Sequence, residues 1–331
     1  MSLPRLAFTI GDPAGIGPEL IIKSFLNGKI LDYCQPFVVG EIKLLQQHAQ
    51  TLKQDVEFIG ISNPHDITSH SKRIPVLQPD SGQFEGDLVL GQVDDRCGAV
   101  AHRAIVESVR WCLRGEIDGL VTAPLHKESL NASGVLFPGH TELLANLAHA
   151  RETAMLLVGG GLRVVLATIH CALRDVPPKI TRDRLGSLFD LTNNFIRRFG
   201  ISSPRIAVAG LNPHAGEGGL FGNEERLEII PAIEAARERG LTIEGPLPGD
   251  TVFHSMLQGN SDVVIAMYHD QGLAALKTLA FHDGVNITMG LPFVRTSPDH
   301  GTAFNIAGKG VADPRSFIEA VSIAAQLSQK K

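Results

Sequence analysis

Residues 6–20 read Leu-Ala-Phe-Thr-Ile-Gly-Asp-Pro-Ala-Gly-Ile-Gly-Pro-Glu-Leu. An apolar run breaks at Gly11, passes through a turn of glycine and proline, and resumes at Glu19 with helical spacing. The pattern predicts a strand over Leu6–Ile10 and a helix over Glu19–Leu26. Pro18 suits the first helical turn, where its missing N–H is not needed. A strand delivered directly into a helix is half of a βαβ unit, and βαβ units build parallel sheets.

The alternation continues along the chain. Further strands are predicted over Phe37–Val39, Gly119–Thr122, Ala154–Val158, Arg163–Ile169, Arg205–Ala209, Asp262–Met267 and Val285–Thr288. Several lack polar alternation, as parallel strands covered on both faces do. Helices are predicted over Ala99–Leu113, Arg184–Phe199, Glu224–Arg239 and Ser316–Leu327, and Gly240 stands where the third of these needs a C-terminal cap. The fold class is therefore α/β, with mostly parallel sheets in α/β/α layers. At roughly 150 residues per domain, a chain of 331 residues makes two lobes. Pro- and Gly-rich segments at Pro124–Gly139 and Leu291–Gly301 are the expected crossings. They give a discontinuous first lobe, 1–135 plus 300–331, and a second lobe, 136–299.

Composition excludes several functions. Thirty Lys+Arg against 35 Asp+Glu leave a net charge of -5, and aromatics are only 5%. That argues against a nucleic-acid partner, which needs a basic face or stacking platforms. The four cysteines form no CxxC pair, a usage expected of a reducing, cytoplasmic protein. The apolar start is too short for a secretory signal. No window approaches 18 uninterrupted apolar residues, so no membrane span is expected.

Three predicted strands run into histidines: His170, His214 and His269. Ligands of open parallel sheets bind beyond the carboxyl ends of strands, and three neutral imidazoles suit a divalent transition metal. Any one of them alone more often bonds a backbone carbonyl. Asp250 and Asp270 would orient or supplement such ligands, or equally cap helices. The turn at Gly11, Asp12 and Gly15 offers bare backbone to a phosphate or a nicotinamide, although tight βα turns need glycine anyway. In Pro138-Gly-His140-Thr141-Glu142, Thr141 reads as a helix cap and His140 as an exposed turn residue. Lys127, Lys277, Asn286 and Arg295 are donors for a phosphate or carboxylate, or simply solvated. Asp299–Gly310 is too rich in small residues for a strand or stable helix, and suits backbone contact with a ligand.

The whole chain resembles the 4-hydroxythreonine-4-phosphate dehydrogenase (PdxA) family. The resemblance rests on GDPAGIGPE (11–19), TAPLHK (122–127), FPGHTE (137–142), ATIHCALRD (167–175), GLNPHAGEGG (210–219), GPLPGDT (245–251), AMYHDQG (266–272), GVNITMGLPFVRTSPDHGTA (284–303) and IAGKG (306–310), in family order. The first and last segments also look like those of isocitrate and isopropylmalate dehydrogenases. That implies a two-lobed fold with the active site in the interlobe cleft, the first lobe on the dinucleotide side and the second carrying metal, substrate and dimer contacts. The resemblance implies that His170, His214 and His269 bind one divalent metal (zinc, cobalt or magnesium). His140, Thr141, Lys277, Asn286 and Arg295 would contact the phosphorylated substrate. Gly11, Asp12, Gly15, His300, Gly301, Thr302 and Asn305 would meet NAD or NADP; Asn305 stands where the wider relatives often have Asp. Family members are homodimers whose metal ligands come from both subunits.

The implied reaction is oxidation of the C3 hydroxyl of 4-phosphohydroxy-L-threonine, with loss of CO2, in pyridoxal 5'-phosphate (vitamin B6) biosynthesis. Lys127, Asp250 and Asp270 are the candidates for proton acceptor. A sister activity on D-threonate or D-erythronate 4-phosphate shares nearly all these motifs, although Leu173-Arg174-Asp175 looks more like the vitamin branch. Outside the family, three histidines beside a phosphate-binding rim also suit a metal-dependent phosphatase or an aldolase.

Overall fold

The structure, a computed structural model, describes residues 3–68, 70–80 and 82–329. In chain order the strands are β1 (Arg5–Thr9), β2 (Gln35–Val39), β3 (Glu57–Ile61), β4 (Arg73–Leu77), β5 (Gly119–Thr122), β6 (Ala154–Gly159), β7 (Leu162–Leu166), β8 (Arg205–Ala209), β9 (Thr242–Leu247), β10 (Val263–Ala266), β11 (Val285–Met289) and β12 (Val294–Pro298). The chain divides into two compact units, residues 1–152 with 291–331, and residues 153–290.

In the first unit all strand pairs are parallel, in the order β3-β4-β2-β1-β5-β12. The segment Leu291–Gly301, read from sequence as a crossing loop, contains β12, which pairs with β5. Its sequence, Val-Arg-Thr-Ser-Pro, hides the strand because its polar residues are buried and bonded rather than solvated; Thr296 Oγ1 donates to Ala320 O at 2.8 Å. The helix His140–Leu147 packs on the helix Asp95–Leu113, which places residues 136–152 in this unit as well. The C-terminal helix Arg315–Ser328 lies on β12 and β5, and Phe317 meets Phe8 of β1 edge to face at 5.3 Å.

The second unit has the order β11-β6-β7-β10-β8-β9. β11, β6 and β7 are antiparallel neighbours, and β7, β10, β8 and β9 run parallel. The β6–β7 hairpin closes on Gly160 and Gly161, both at positive φ, as a two-residue turn with the sheet's own twist requires. Leu157, Val164, Leu166, Ala207, Val264 and Leu276 lie in one buried cluster beneath the helices.

The strands that escape sequence reading share a cause. β4 and β9 carry proline, β3 carries glycine, and β3 and β9 form edges, so none shows the apolar run of a central strand. The helix predicted over Glu224–Arg239 is π-helical at Glu225–Ile229 and α-helical at Ile230–Glu238; Pro231 has no N–H to continue the regular ladder. Among the described residues no helix is long and apolar enough to cross a membrane.

Candidate active site

The parallel pairing of β7 with β10 sets Leu166 opposite Ala266. It persists beyond both strands through Ala167 N–H to Ala266 O (2.8 Å) and Thr168 Oγ1 to Met267 O (2.7 Å). The next few residues therefore emerge side by side, and the rings of His170 and His269 lie 5.7 Å apart between centroids. His269 opens the helix His269–Leu279, and its Nδ1 is 2.7 Å from Asp270 Oδ1. With Nδ1–H donated to that carboxylate, Nε2 keeps the free lone pair that a metal needs. His170, Cys171, Leu173, Tyr268, His269 and Asp270 line a pocket of about 270 Å³. A neighbouring pocket of about 490 Å³ holds Asn212, His214, Asp250, Tyr268, Asp270 and Gln271. Tyr268 and Asp270 thus line both.

The donors fit a divalent metal chemically, since they are imidazoles, one of them, His269, backed by the carboxylate of Asp270. One chain does not gather them: among the described residues no three His, Cys, Asp or Glu side chains stand close enough to hold an ion. His170 and His269 are a pair, and His214 opens into the adjoining pocket.

The first unit holds a buried cation beside an imidazole. Arg295, on β12, is 3% exposed, and its Nη2 donates to Thr122 Oγ1 of β5 at 2.6 Å. Burial lowers the guanidinium's pKa to about 9. A cation so poorly solvated gains more than usual from an anionic ligand. Burial, and then the charge of Arg295, hold the His140 imidazole well below the ordinary histidine range, and its Nε2 is buried without a partner. Thr141 is not the cap expected from sequence. The helix begins at His140, with Gly139 at the cap position and no side-chain capping bond. The stem of Lys127 runs beside Gly139, where an added Cβ would lie 3.8 Å from Lys127 Cε.

In the second unit Lys277 sits on the helix His269–Leu279, its ammonium 5.9 Å over the Phe281 ring. Asn286 is on β11, with Oδ1 buried and unpartnered.

The glycine turn serves packing rather than open contact. Residues 11–20 are all buried, and the N–H groups of Asp12, Ala14, Gly15 and Ile16 donate to Pro124 O, Asp12 Oδ1, Asp12 O and Thr302 O. A Cβ on Gly15 would meet Thr302 O at 2.9 Å. These donors are committed within the protein. The turn seats the loop of Thr302, and exposed positions for a ligand fall on His300, Gly301 and Asn305.

Sequence reasoning passed over Gln271. Its Oε1 accepts from Met267 N–H and its Nε2 donates to Gly210 O, both at 2.7 Å, tying the exits of β10 and β8 together. Its place two residues after His269 was the available signal.

The chain is similar over nearly its whole length to known proteins. Residues 32–324 match the family described as pyridoxal phosphate biosynthetic protein PdxA. The chain is 43% identical to a D-threonate 4-phosphate dehydrogenase of Cupriavidus necator, covering 99% of this chain and 98% of that one. It is also 43% identical to a 4-hydroxythreonine-4-phosphate dehydrogenase of Geobacter metallireducens, covering 99% and 96%. A crystal structure of the 4-hydroxythreonine-4-phosphate dehydrogenase of Klebsiella pneumoniae superposes with a TM-score of 0.92 at 42% identity, covering 99% and 98%.

Proposed function

The chain belongs to the PdxA family, a family of oxidoreductases, and on that premise we propose that it oxidises the C3 hydroxyl of 4-phosphohydroxy-L-threonine with a nicotinamide cofactor, NAD or NADP. The observation that carries the reading is the buried Arg295 beside His140. A desolvated guanidinium next to a neutral imidazole complements a phosphate by charge and by hydrogen bonding. Thr141, Lys277 and Asn286 are the further substrate contacts in this proposal.

His170, His214 and His269 are the proposed ligands of a divalent metal, zinc, cobalt or magnesium, completed by the same residues of a second copy of the chain. When bound, such an ion polarises the substrate oxygen. A bound nicotinamide would accept the hydride from C3, and a base of the chain would take the hydroxyl proton. Asp270 is engaged with His269 Nδ1, which leaves Asp250 and Lys127 as the freer acceptors. The product ketone lies β to the carboxylate, so CO2 departs with its C–C electron pair held as an enolate. Protonation then yields 3-amino-2-oxopropyl phosphate. His300, Gly301 and Asn305 are the proposed dinucleotide contacts.

A second reading, oxidation of D-threonate 4-phosphate, is favoured by the Cupriavidus necator relative of equal identity. The two substrates differ in a 2-amino against a 2-hydroxy group. The pocket carboxylate Asp250 suits an ammonium and supports the amino acid. NADH or NADPH formation from both compounds by metal-replete protein, with NAD and NADP each supplied and His214→Ala as control, tests this. Higher kcat/KM for the amino acid is expected, with a loss of at least about 100-fold in the variant. Preference for D-threonate 4-phosphate would select the second reading, and no turnover of either would reject both.

A further inference from the structure

We propose that Glu225 is a positioning residue for His214: its buried carboxylate clamps the left-handed turn that aims this histidine into the pocket. The inference rests on the reading of His214 as a metal ligand. Five successive residues, His214 to Gly218, have left-handed backbone, with φ of 52°, 52°, 81°, 42° and 66°. Three of them, His214, Ala215 and Glu217, are not glycine, and such residues are sterically disfavoured in this region even singly. A run of this kind persists only where surrounding structure over-determines it.

Glu225 supplies that constraint. It is 3% exposed, and one carboxylate oxygen accepts Leu211 N–H at 2.8 Å and Asn212 N–H at 2.7 Å. The other accepts Asn212 Nδ2 at 2.9 Å. Three hydrogen bonds therefore fix the two residues just before Pro213-His214. The turn itself closes on the same group. A Cβ at Gly216 would lie 2.7 Å from Glu225 Oε2, and one at Gly210 would lie 2.7 Å from Ala215 Cα. Glu225 begins the π-helical turn Glu225–Ile229, a distortion that recurs at functional sites. Neither Glu225 nor Asn212 is singled out by the sequence, in which only His214 of GLNPHAGEGG carries a candidate role.

The test measures Co(II) affinity and the visible Co(II) spectrum of the metal-depleted full chain, with circular dichroism to monitor folding. His214→Ala is expected to lower affinity at least about tenfold. Glu225→Ala should do the same while folded, with an altered cobalt spectrum. Glu225→Gln should recover most of the loss, because its amide oxygen still accepts Leu211 and Asn212 N–H. Should Glu225→Ala fail to fold, Glu225→Asp decides the matter: its shorter carboxylate should lose affinity at least about fivefold. A folded Glu225→Ala, or Glu225→Asp in its place, with wild-type affinity and spectrum would overturn the clamp while His214→Ala still lost binding. Unchanged affinity in His214→Ala would instead remove the ligand reading on which the clamp depends.

Discussion

His48 is 1% exposed, with Nε2 2.7 Å from Pro13 O and Nδ1 buried without a partner. Burial lowers its pKa from 6.5, against the smaller opposing pull of the Pro13 carbonyl and Glu19. Below 6.5 the unfolded chain protonates this imidazole while the folded chain does not. The unfolded state then binds more protons, and stability falls as pH falls. The contribution is complete above 6.5 and is lost toward the depressed folded value; His102 and His140 act with the same sign. Urea midpoints should therefore decline between about pH 7 and about pH 5.5. His48→Gln, which keeps a donor for Pro13 O, should show a shallower decline. An unchanged slope in that variant would exclude His48 as a source. At this scale His170, His214 and His269 were legible because each follows an apolar run. Glu225 and Gln271 were not, because their hydrogen bonds reach 13 and 61 residues back along the chain.

The helices Asp95–Leu113 and Lys127–Ala132 meet at Gly98, where an added Cβ would lie 1.9 Å from Ser129 O and 2.3 Å from its carbonyl carbon. That approach fixes the shorter helix, and with it His126, whose ring stacks on Phe304 at 4.4 Å and 17°. Phe304 lies between Gly301 and Asn305, both proposed to meet the dinucleotide. Gly98→Ala forces the helices apart, at a cost of about 2–3 kcal/mol. It should lower the urea midpoint and raise the KM for the nicotinamide cofactor more than that for the phosphorylated substrate; an unaltered midpoint would show that the contact relaxes freely. Element type was readable where apolar periodicity is strong, as in β1, β5, β8 and the helix Asp95–Leu113. It was unreadable in β12, whose buried polar residues are satisfied by partners that only the folded chain supplies.

The first unit is assembled from both ends of the chain. Phe317, from the last helix, is fully buried against Phe8, which also meets Phe25 at 6.0 Å. Phe317→Ala should cost about 3–5 kcal/mol, read as a fall in the unfolding midpoint. If the C-terminal helix were merely an appendage, the loss would stay within about 0.5 kcal/mol, as for a surface change. The sequence by itself determined the α/β class, most central strands and the histidines at strand ends, because these depend on local periodicity and on turn residues that act over a few positions. The tertiary structure alone decided where the units divide, that residues 136–152 and 291–299 belong with the first, and that the glycine turn at Gly11–Gly15 is sealed by Thr302. It also decided that three histidines of one chain do not form one cluster. These outcomes depend on strand order and on side-chain burial across long separations, and no local pattern of residues encodes which distant surface will remove a group from water.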